Sequence, residues 1–177
     1  MNELSLVDPT AELTAALPMI NEIGPDDGGF HGLAQPLTPE TFPAFVAELT
    51  DFAEGKNLPE GWVPMNTYWL VRGGTRPVGI SHLRHRLTES LLKRGGHIGY
   101  WIRPAERGKG YGTQLLALTC RKAISIGIDR LLVTCHRDNR GSIRIIEKNG
   151  GVLDCSLSPG PQDEELHYWI ETHNAQP

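Results

Sequence analysis

The chain has 177 residues, of which 39% are apolar and 21% are charged, and its formal net charge is -4. This length permits a single domain with its own hydrophobic core, and we predict one domain over residues 1–177. The acidic balance argues against a nucleic-acid partner, because such proteins normally carry a clustered basic excess. No apolar run approaches the ~18 residues that a membrane span needs, so we expect no membrane partner.

The amino terminus and the cysteines indicate the compartment. The first residues, MNELSLVDPT, carry an acidic side chain where a signal peptide is basic. Cys120, Cys135 and Cys155 are widely spaced and form no C-x-x-C pair, which favours buried, reduced thiols over zinc or redox chemistry. The sequence therefore predicts a cytoplasmic protein.

Hydrophobic periodicity predicts the elements in chain order. We expect strands at residues 4–7, 67–71, 76–83, 97–102 and 130–136, two last strands near 151–157 and 165–170, and helices at 11–21, 39–54, 111–126 and 142–148. The turn residues Gly73 and Gly74 join the second and third strands as a hairpin. This order predicts an α+β fold with a mostly antiparallel sheet. Residues 24–36 form an irregular loop, either a lid over a cleft or an ordinary surface loop.

Residues 107–112, RGKGYG, place three glycines at alternate positions in front of a helix. Glycine costs about 1 kcal/mol relative to alanine inside a helix, so a purely structural role does not explain them. A strand that ends at Ile102, a glycine-rich turn and a helix start together present unpaired N–H groups at the positive end of a helix dipole. The pattern predicts an anion site, with Arg107 and Lys109 adding mobile positive charge.

Three phosphate-binding motifs compete for this stretch. The Walker pattern cannot be drawn through GKGYGT. The dinucleotide pattern fits Gly108 and Gly110 but requires glycine at Thr113, although Asp129 lies where a ribose-binding acid is expected. The third pattern, Arg/Gln-x-x-Gly-x-Gly/Ala, matches Arg107, Gly110 and Gly112.

With this third motif the chain resembles the GNAT superfamily of acetyl-CoA-dependent N-acyltransferases. The strand ending in IRP, the strand LLVTC, the NRGS sequence at a helix start and the EKNGG sequence at its end agree with the same family over residues 66–157. The segments GGHIGYWIRPAERGKGYG, TCHRDN and IEKNGG are similar to those of a small branch of bacterial acetyltransferases. The resemblance implies a sheet with a splayed central strand pair, flanked by helices.

The resemblance also implies the residues that bind acetyl-CoA. The 107–113 loop would bind the pyrophosphate, main-chain groups of Tyr100 and Ile102 would pair with the pantetheine arm, and Asn139 would contact that arm or cap a helix. The predicted cofactor-binding residues are Tyr100, Ile102, Arg107, Gly108, Lys109, Gly110, Tyr111, Gly112, Thr113, Asn139 and Ser142.

The position that would donate a proton to the leaving thiolate differs from the family pattern. Many relatives carry a tyrosine on the short helix, and here that position is Ile146, which has no proton to give. Ser142 is the nearest hydroxyl that the motif places on the same helix, and its alternative role is helix capping. Water is a third candidate.

His97 is the predicted general base, because it begins the strand beside the expected acceptor site and an imidazole titrates near neutrality. Some relatives carry a catalytic glutamate within a residue of this position. The alternative is a histidine that is satisfied by a hydrogen bond and has no chemical role. His82, His85, His136 and His167 lack helical ligand spacing, and we predict no metal site.

The resulting prediction is an N-acetyltransferase in which a primary amine attacks acetyl-CoA directly in a ternary complex. A ping-pong route is disfavoured because no cysteine lies beside an evident base in the sequence. A non-catalytic acyl-CoA-binding or regulatory module is the alternative, motivated by Ile146. The resemblance also allows a homodimer, because homodimers are common in the family.

The acceptor amine stays open at the level of sequence. Arg84 and Arg86 lie on one face of a strand or its extension, where they could hold an anionic part of an acceptor or form a solvated edge. The acidic residues within 161–166 could instead receive a cationic amine. Neither feature decides between a peptide N-terminus, a lysine, a polyamine and a small metabolite.

Overall fold

The computed structural model describes residues 3–157, 160 and 164–172 of the chain. Its strands are β1 (Leu4–Val7), β2 (Met65–Arg72), β3 (Arg76–Arg84), β4 (Ile98–Ile102), β5 (Arg130–His136), β6 (Val152–Leu153) and β7 (Glu165–Glu171). Its helices are α1 (Ala16–Asn21), α2 (Phe42–Ala53), α3 (Glu89–Lys93), α4 (Tyr111–Ser125) and α5 (Arg140–Lys148). The predicted α+β class is confirmed. Within the described ranges, no helix has the length and apolar character needed to cross a membrane.

The strands form two antiparallel sheets that meet at β4 and β5. One sheet has the order β1-β2-β3-β4 and the other has the order β5-β7-β6. No ladder joins β4 to β5 in the described part of the chain. Just before β4 begins, the His97 N–H donates to the Leu132 carbonyl at 2.7 Å. The strand pair is therefore held at one end and is open beyond it, as expected for a splayed pair.

Helices cover both faces of the first sheet. Trp69, Ile80 and Trp101 pack on one face with residues of α1 and α2, including Met19 and Phe42. On the opposite face, Leu70, Val78 and Ile102 pack against Leu115 of α4. A third cluster contains Ile146 of α5 and residues of β5 and β7, such as Leu131 and Ile170. This layering fixes the start of α4 and the start of α5 beside the open end of the strand pair.

The predicted elements differ most from the structure in four places. The first helix begins at Ala16 rather than at residue 11, the second begins at Phe42, and β6 covers only Val152–Leu153. Hydrophobic periodicity did not predict α3, a single short turn of helix whose N-cap Thr88 accepts a hydrogen bond from the Leu91 N–H at 3.2 Å. Helix α4 has its predicted C-terminal glycine, because Gly127 follows it with φ 78°.

Ile146, which stands at the tyrosine position of many relatives, is a core residue. Its side chain is fully buried in the cluster that joins α5 to β5 and β7. Replacing it with alanine should lower the free energy of unfolding by about 2–5 kcal/mol, because the deleted methyl groups leave a cavity. Urea unfolding measures this loss.

Ile124 on α4 is the matched control, since 42% of its surface is exposed. Ile124→Ala should change the unfolding free energy by no more than about 0.5 kcal/mol. Equal losses for the two variants would contradict the assignment of Ile146 to the core.

Candidate active site

A cleft of about 1380 Å³ lies where β4 and β5 separate. Typical small-molecule pockets hold roughly 300–1,000 Å³, so this cleft has room for more than one ligand. Its walls come from β4, from the glycine loop before α4, from the start of α5, from α3 and from the 24–36 loop.

The glycine loop presents a row of unused backbone donors to this cleft. In the described part of the chain, the N–H groups from Gly108 to Thr113 have no hydrogen-bond acceptor. Gly110 is the N-cap of α4 and offers no side chain to cap them. The first N–H groups of a helix carry the positive end of its dipole, so the free donors of this loop are suited to an anion.

The three glycines of the loop have two different roles. Gly108 and Gly110 adopt φ values of 78° and 80°, which other residues rarely adopt, and a Cβ at either would meet no atom within 4 Å. Their outer side is therefore open to a ligand. A Cβ on Gly112 would lie 2.6 Å from Cδ1 of Ile145, so Gly112 permits the close packing of α4 against α5.

The two basic side chains of the loop are held by the protein rather than mobile, contrary to our expectation. Arg107 donates from Nε to the Ile102 carbonyl at 3.0 Å and from its terminal nitrogen to Asp27 at 2.5 Å. Lys109 donates to the Glu106 carboxylate at 2.8 Å. This hydrogen bond is the largest contribution that lowers the pKa of Glu106. The loop is thus fixed before any ligand binds.

Glu106 fixes the loop from below, because it is almost completely buried and pairs with three cations. Besides Lys109, it contacts Arg76 at 2.7 Å and Arg72 at 3.6 Å. Arg72 also donates to the Tyr111 hydroxyl at 3.3 Å. Tyr111 and Thr113 both line the cleft, as expected from their place in the loop.

The main chain of β4 alternates its hydrogen-bonding edge between β3 and the open gap. The Arg103 N–H donates to the Val78 carbonyl of β3. Because the pattern repeats every second residue, Trp101 also directs its main-chain groups toward β3. Tyr100 and Ile102 then direct theirs toward β5. This orientation is the one that the predicted contact with a pantetheine arm requires, although the Ile102 carbonyl already accepts from Arg107.

Ser142 and Tyr100 form a hydroxyl pair across the cleft. The two oxygens are 2.6 Å apart, and burial raises the pKa of Tyr100, so its phenol stays protonated. Ser142 also hydrogen-bonds the thiol of Cys135 at the end of β5. Ser142 does not cap α5 through its hydroxyl. That role belongs to Asn139, whose side-chain oxygen accepts from the Ser142 N–H at 3.0 Å.

His97 does not line the cleft, in contrast to the role that the sequence suggested for it. It is 8% exposed, and its Nδ1 accepts a hydrogen bond from the Leu132 N–H at 2.9 Å. Burial, together with the nearby charge of Arg84, lowers the pKa of His97 to about 4. The geometry favours the second alternative, a histidine that joins β4 to β5 and has no chemical role.

His82 lines the cleft, as do His31 and His136, and it was not among the catalytic residues predicted from the sequence. Its Nδ1 lies 2.9 Å from the Thr67 hydroxyl, its ring stacks on Phe30 at 5.0 Å, and its Nε2 has no hydrogen-bond partner among the described residues. Burial lowers the pKa of His82 to about 3, so the ring is neutral. The predicted hairpin could have found this pair, because its register places Thr67 opposite His82.

The 24–36 loop closes one side of the cleft. Asp27 accepts from the Trp101 indole at 2.7 Å as well as from Arg107, and Phe30 stacks on His82. Residues 26–31 all line the cleft. Of the two alternatives for this loop, its position agrees with a cover over the cleft.

Residues 161–163 of the acidic stretch lie outside the described residues, so their role is still only a prediction. Within the described ranges, no group of three or more His, Cys, Asp or Glu side chains could hold a metal ion.

Comparisons with known proteins identify the family. The family model of the acetyltransferase (GNAT) domain matches residues 19–152. A search of curated proteins finds no match. Among solved structures, the ribosomal-protein-S5-alanine acetyltransferase from Vibrio fischeri is similar to this chain with a TM-score of 0.66 and 14% identity, covering 100% of this chain and 97% of that one.

Two ligand-bound structures share the fold. RimJ from Mycobacterium smegmatis in complex with CoA-disulfide gives a TM-score of 0.65 at 15% identity, covering 98% of this chain and 84% of that one. The microcin C7 self-immunity acetyltransferase MccE in complex with acetyl-CoA and AMP gives 0.60 at 16% identity, covering 97% and 93%.

The chain belongs to the GNAT acetyltransferase family. It is an N-acetyltransferase, and acetyl-CoA is its acyl donor. The residues of the cleft fit that donor, because the loop before α4 offers free N–H groups and two glycines with open space beside them.

Replacing Gly110 with leucine should weaken coenzyme A binding about 10-fold or more, because the side chain would enter the open space beside the free N–H groups. The positive φ of Gly110 also costs about 1–2 kcal/mol of stability for any other residue. Calorimetric titration with coenzyme A measures the affinity, and thermal unfolding measures the stability.

Gly127→Leu is the matched control, because Gly127 has φ 78° at the other end of the same helix and lies outside the cleft. It should lose similar stability and keep its coenzyme A affinity. An unchanged affinity in Gly110→Leu, or an equal loss in both variants, would contradict the loop assignment.

The buried His97 should make the fold less stable in acid. Its pKa is about 4 in the folded protein against 6.5 for an unperturbed histidine, so the unfolded chain binds more protons between these values. Stability should therefore fall as the pH drops from 6.5 to 4, by about 3 kcal/mol from this residue. Urea unfolding at several pH values measures the slope.

His97→Asn should flatten this slope, since an amide oxygen can still accept from Leu132 but does not titrate. His136→Asn should not flatten it, because the hydrogen bond to Asp138 raises the pKa of His136, which is then protonated in both states below 6.5. Equal slopes for wild type and His97→Asn would show that His97 is not a buried neutral group.

Proposed function

We propose that this N-acetyltransferase transfers the acetyl group to a primary amine by direct attack, with both substrates bound in the cleft at once. The observation that carries the proposal is the row of free N–H groups from Gly108 to Thr113, which opens into the same cleft as the Tyr100–Ser142 hydroxyl pair. The loop would hold the pyrophosphate, and the edge of β4 at Tyr100 and Ile102 would hold the pantetheine arm. Bound acetyl-CoA supplies a thioester that is activated toward amines.

The chemistry of Cys135 supports direct attack over an acetyl-enzyme route. Cys135 lines the cleft beside Ser142, so its position alone would suit a nucleophile. However, burial raises the pKa of its thiol to about 12. A cysteine attacks as the thiolate, and this thiol stays protonated near neutral pH.

His82 is the proposed acceptor of the amine proton. Its free Nε2 can take the proton if Nδ1–H donates to the Thr67 hydroxyl, which also fixes the orientation of the ring. The pKa of about 3 describes the cleft without an acceptor, where burial and the nearby charge of Arg84 both disfavour the imidazolium. An acceptor that offsets the charge of Arg84 would remove the smaller of these two causes.

The hydroxyl pair is the proposed proton donor for the leaving thiolate. Tyr100 extends from β4 toward Ser142 on α5, so a phenol reaches the start of α5 from the opposite strand. This arrangement supplies a hydroxyl even though Ile146 is buried in the core. The proton lost by the amine and the proton gained by the sulfur balance, and the products are an N-acetyl amide and free coenzyme A.

Thiol release tests the function and the base together. Wild-type protein mixed with acetyl-CoA and a panel of amines should release free thiol, with initial-rate lines that intersect as in a ternary complex. His82→Gln should lower kcat by about 100-fold or more, since general base catalysis contributes on this scale. His85→Gln is the control, because His85 bonds Asn66 and lies outside the cleft.

The alternative is a module that binds acyl-CoA without catalysis. Tight coenzyme A binding with no thiol released for any amine would favour that module. Thiol release that is equally fast in wild type and in His82→Gln would support acetyl transfer but contradict the role of His82 as the base. The sequence predicts a cytoplasmic location, and the resemblance to the family allows a homodimer; both are part of this proposal.

A further inference from the structure

Arg84 lies at the end of the cleft beyond His82. The two residues are two apart on β3, so their side chains share the face of the sheet that Met65 and Thr67 of β2 also occupy. From the sequence alone, a solvated edge was an open alternative for Arg84. Instead its side chain is half-buried and lines the cleft, and burial lowers its pKa from the ordinary value.

The guanidinium of Arg84 uses only one of its three nitrogens. NH1 donates to the carbonyls of Gly95 at 3.1 Å and Gly96 at 3.2 Å, which occupies both of its hydrogens. Nε and NH2 have no acceptor among the described residues. These two nitrogens form the edge of the guanidinium that matches the two oxygens of a carboxylate.

The carboxylates of the cleft have partners of their own. Five carboxylates line it: Asp26 accepts from the Gly29 N–H, Asp27 from Arg107, Glu106 from Lys109 and Asp138 from His136, and Glu165 lies 3.7 Å from Arg94. No carboxylate in the described ranges lies within ion-pair distance of Arg84. A half-buried cation without a counter-ion is costly, and an anionic ligand would offset that cost.

We infer that the acceptor is a small amino acid or a similar amine that bears a carboxylate, and that the Nε–NH2 edge of Arg84 binds this carboxylate. The inference rests on the proposed function. It places the amine near His82 and the carboxylate near Arg84.

The spacing of the two residues limits the acceptor to small molecules. Side chains two apart on a strand are separated by about 6.6 Å at their Cα atoms, a distance that a few bonds between amine and carboxylate can span. Polyamines and lysine side chains of proteins lack a carboxylate at this position, so they are poor acceptors. The carboxylate also neutralises the charge of Arg84, which after burial is the second cause that lowers the pKa of His82.

Paired acceptors test the inference. Each pair contains an amino acid and the same molecule without its carboxyl group. The pairs are phenylalanine with phenethylamine and leucine with isoamylamine. Spermidine is added as a polyamine. The wild-type kcat/KM should be at least about 10-fold higher for each amino acid than for its paired amine, the scale of a charged hydrogen-bonded pair.

Arg84→Gln should lower kcat/KM for the amino acids about 10-fold or more and leave the values for the paired amines within about 3-fold. Arg84→Lys keeps the charge but cannot form two parallel hydrogen bonds to a carboxylate, so its kcat/KM for the amino acids should lie between those of wild type and Arg84→Gln. Arg86→Gln is the matched control, because Arg86 is exposed, lies outside the cleft and should affect neither acceptor. A purely structural role for Arg84 would lower both acceptors equally, and that result would overturn the inference.

A binding measurement covers the case in which Arg84→Gln does not fold. Calorimetric titration of wild-type protein saturated with coenzyme A should give at least about 10-fold tighter binding for N-acetylphenylalanine than for its carboxamide. Equal binding of acid and amide, or faster turnover of spermidine than of the amino acids, contradicts the assignment of Arg84. Absence of thiol release with every amine contradicts the proposed function itself, so the two failures are distinguishable.

Discussion

The structure depends on the divergence of two neighbouring strands. If β4 and β5 formed a continuous ladder, their main-chain groups would be satisfied by each other and no cleft would exist. Instead the pair is joined at one end, where His97 exchanges two hydrogen bonds with Leu132, and from Tyr100 onward the main chain of β4 faces the cleft. The free backbone edge and the free N–H groups of the glycine loop then open into one cavity.

Binding and chemistry are divided between main chain and side chains. The proposed donor site consists of backbone N–H groups, and Arg107 and Lys109 support the loop through Asp27 and Glu106. The proposed acceptor site consists of side chains on β3, with His82 and Arg84 on one face. In the proposed reaction, the backbone part binds the donor and the side-chain part determines which amine is accepted.

The sequence predicted the elements around the glycine loop better than the contacts of single side chains, for a physical reason. The glycine loop is a local pattern, and hydrophobic periodicity placed β4 and α4 on either side of it to within two residues. His97 was chosen as base from its position alone, while its contact with Leu132 depends on a strand 35 residues away. The same limit applies to Arg84, since the sequence could not show that its Nε–NH2 edge has no partner among the described residues.

The central claim is that the N–H groups from Gly108 to Thr113 bind the diphosphate of coenzyme A. Amide NMR spectra recorded during titration with coenzyme A, and separately with pantetheine, which lacks the diphosphate, test it most directly. We expect large shifts and slowed hydrogen exchange for the amides from Gly108 to Thr113 with coenzyme A and not with pantetheine. Coenzyme A binding that leaves these amides unchanged would contradict the claim.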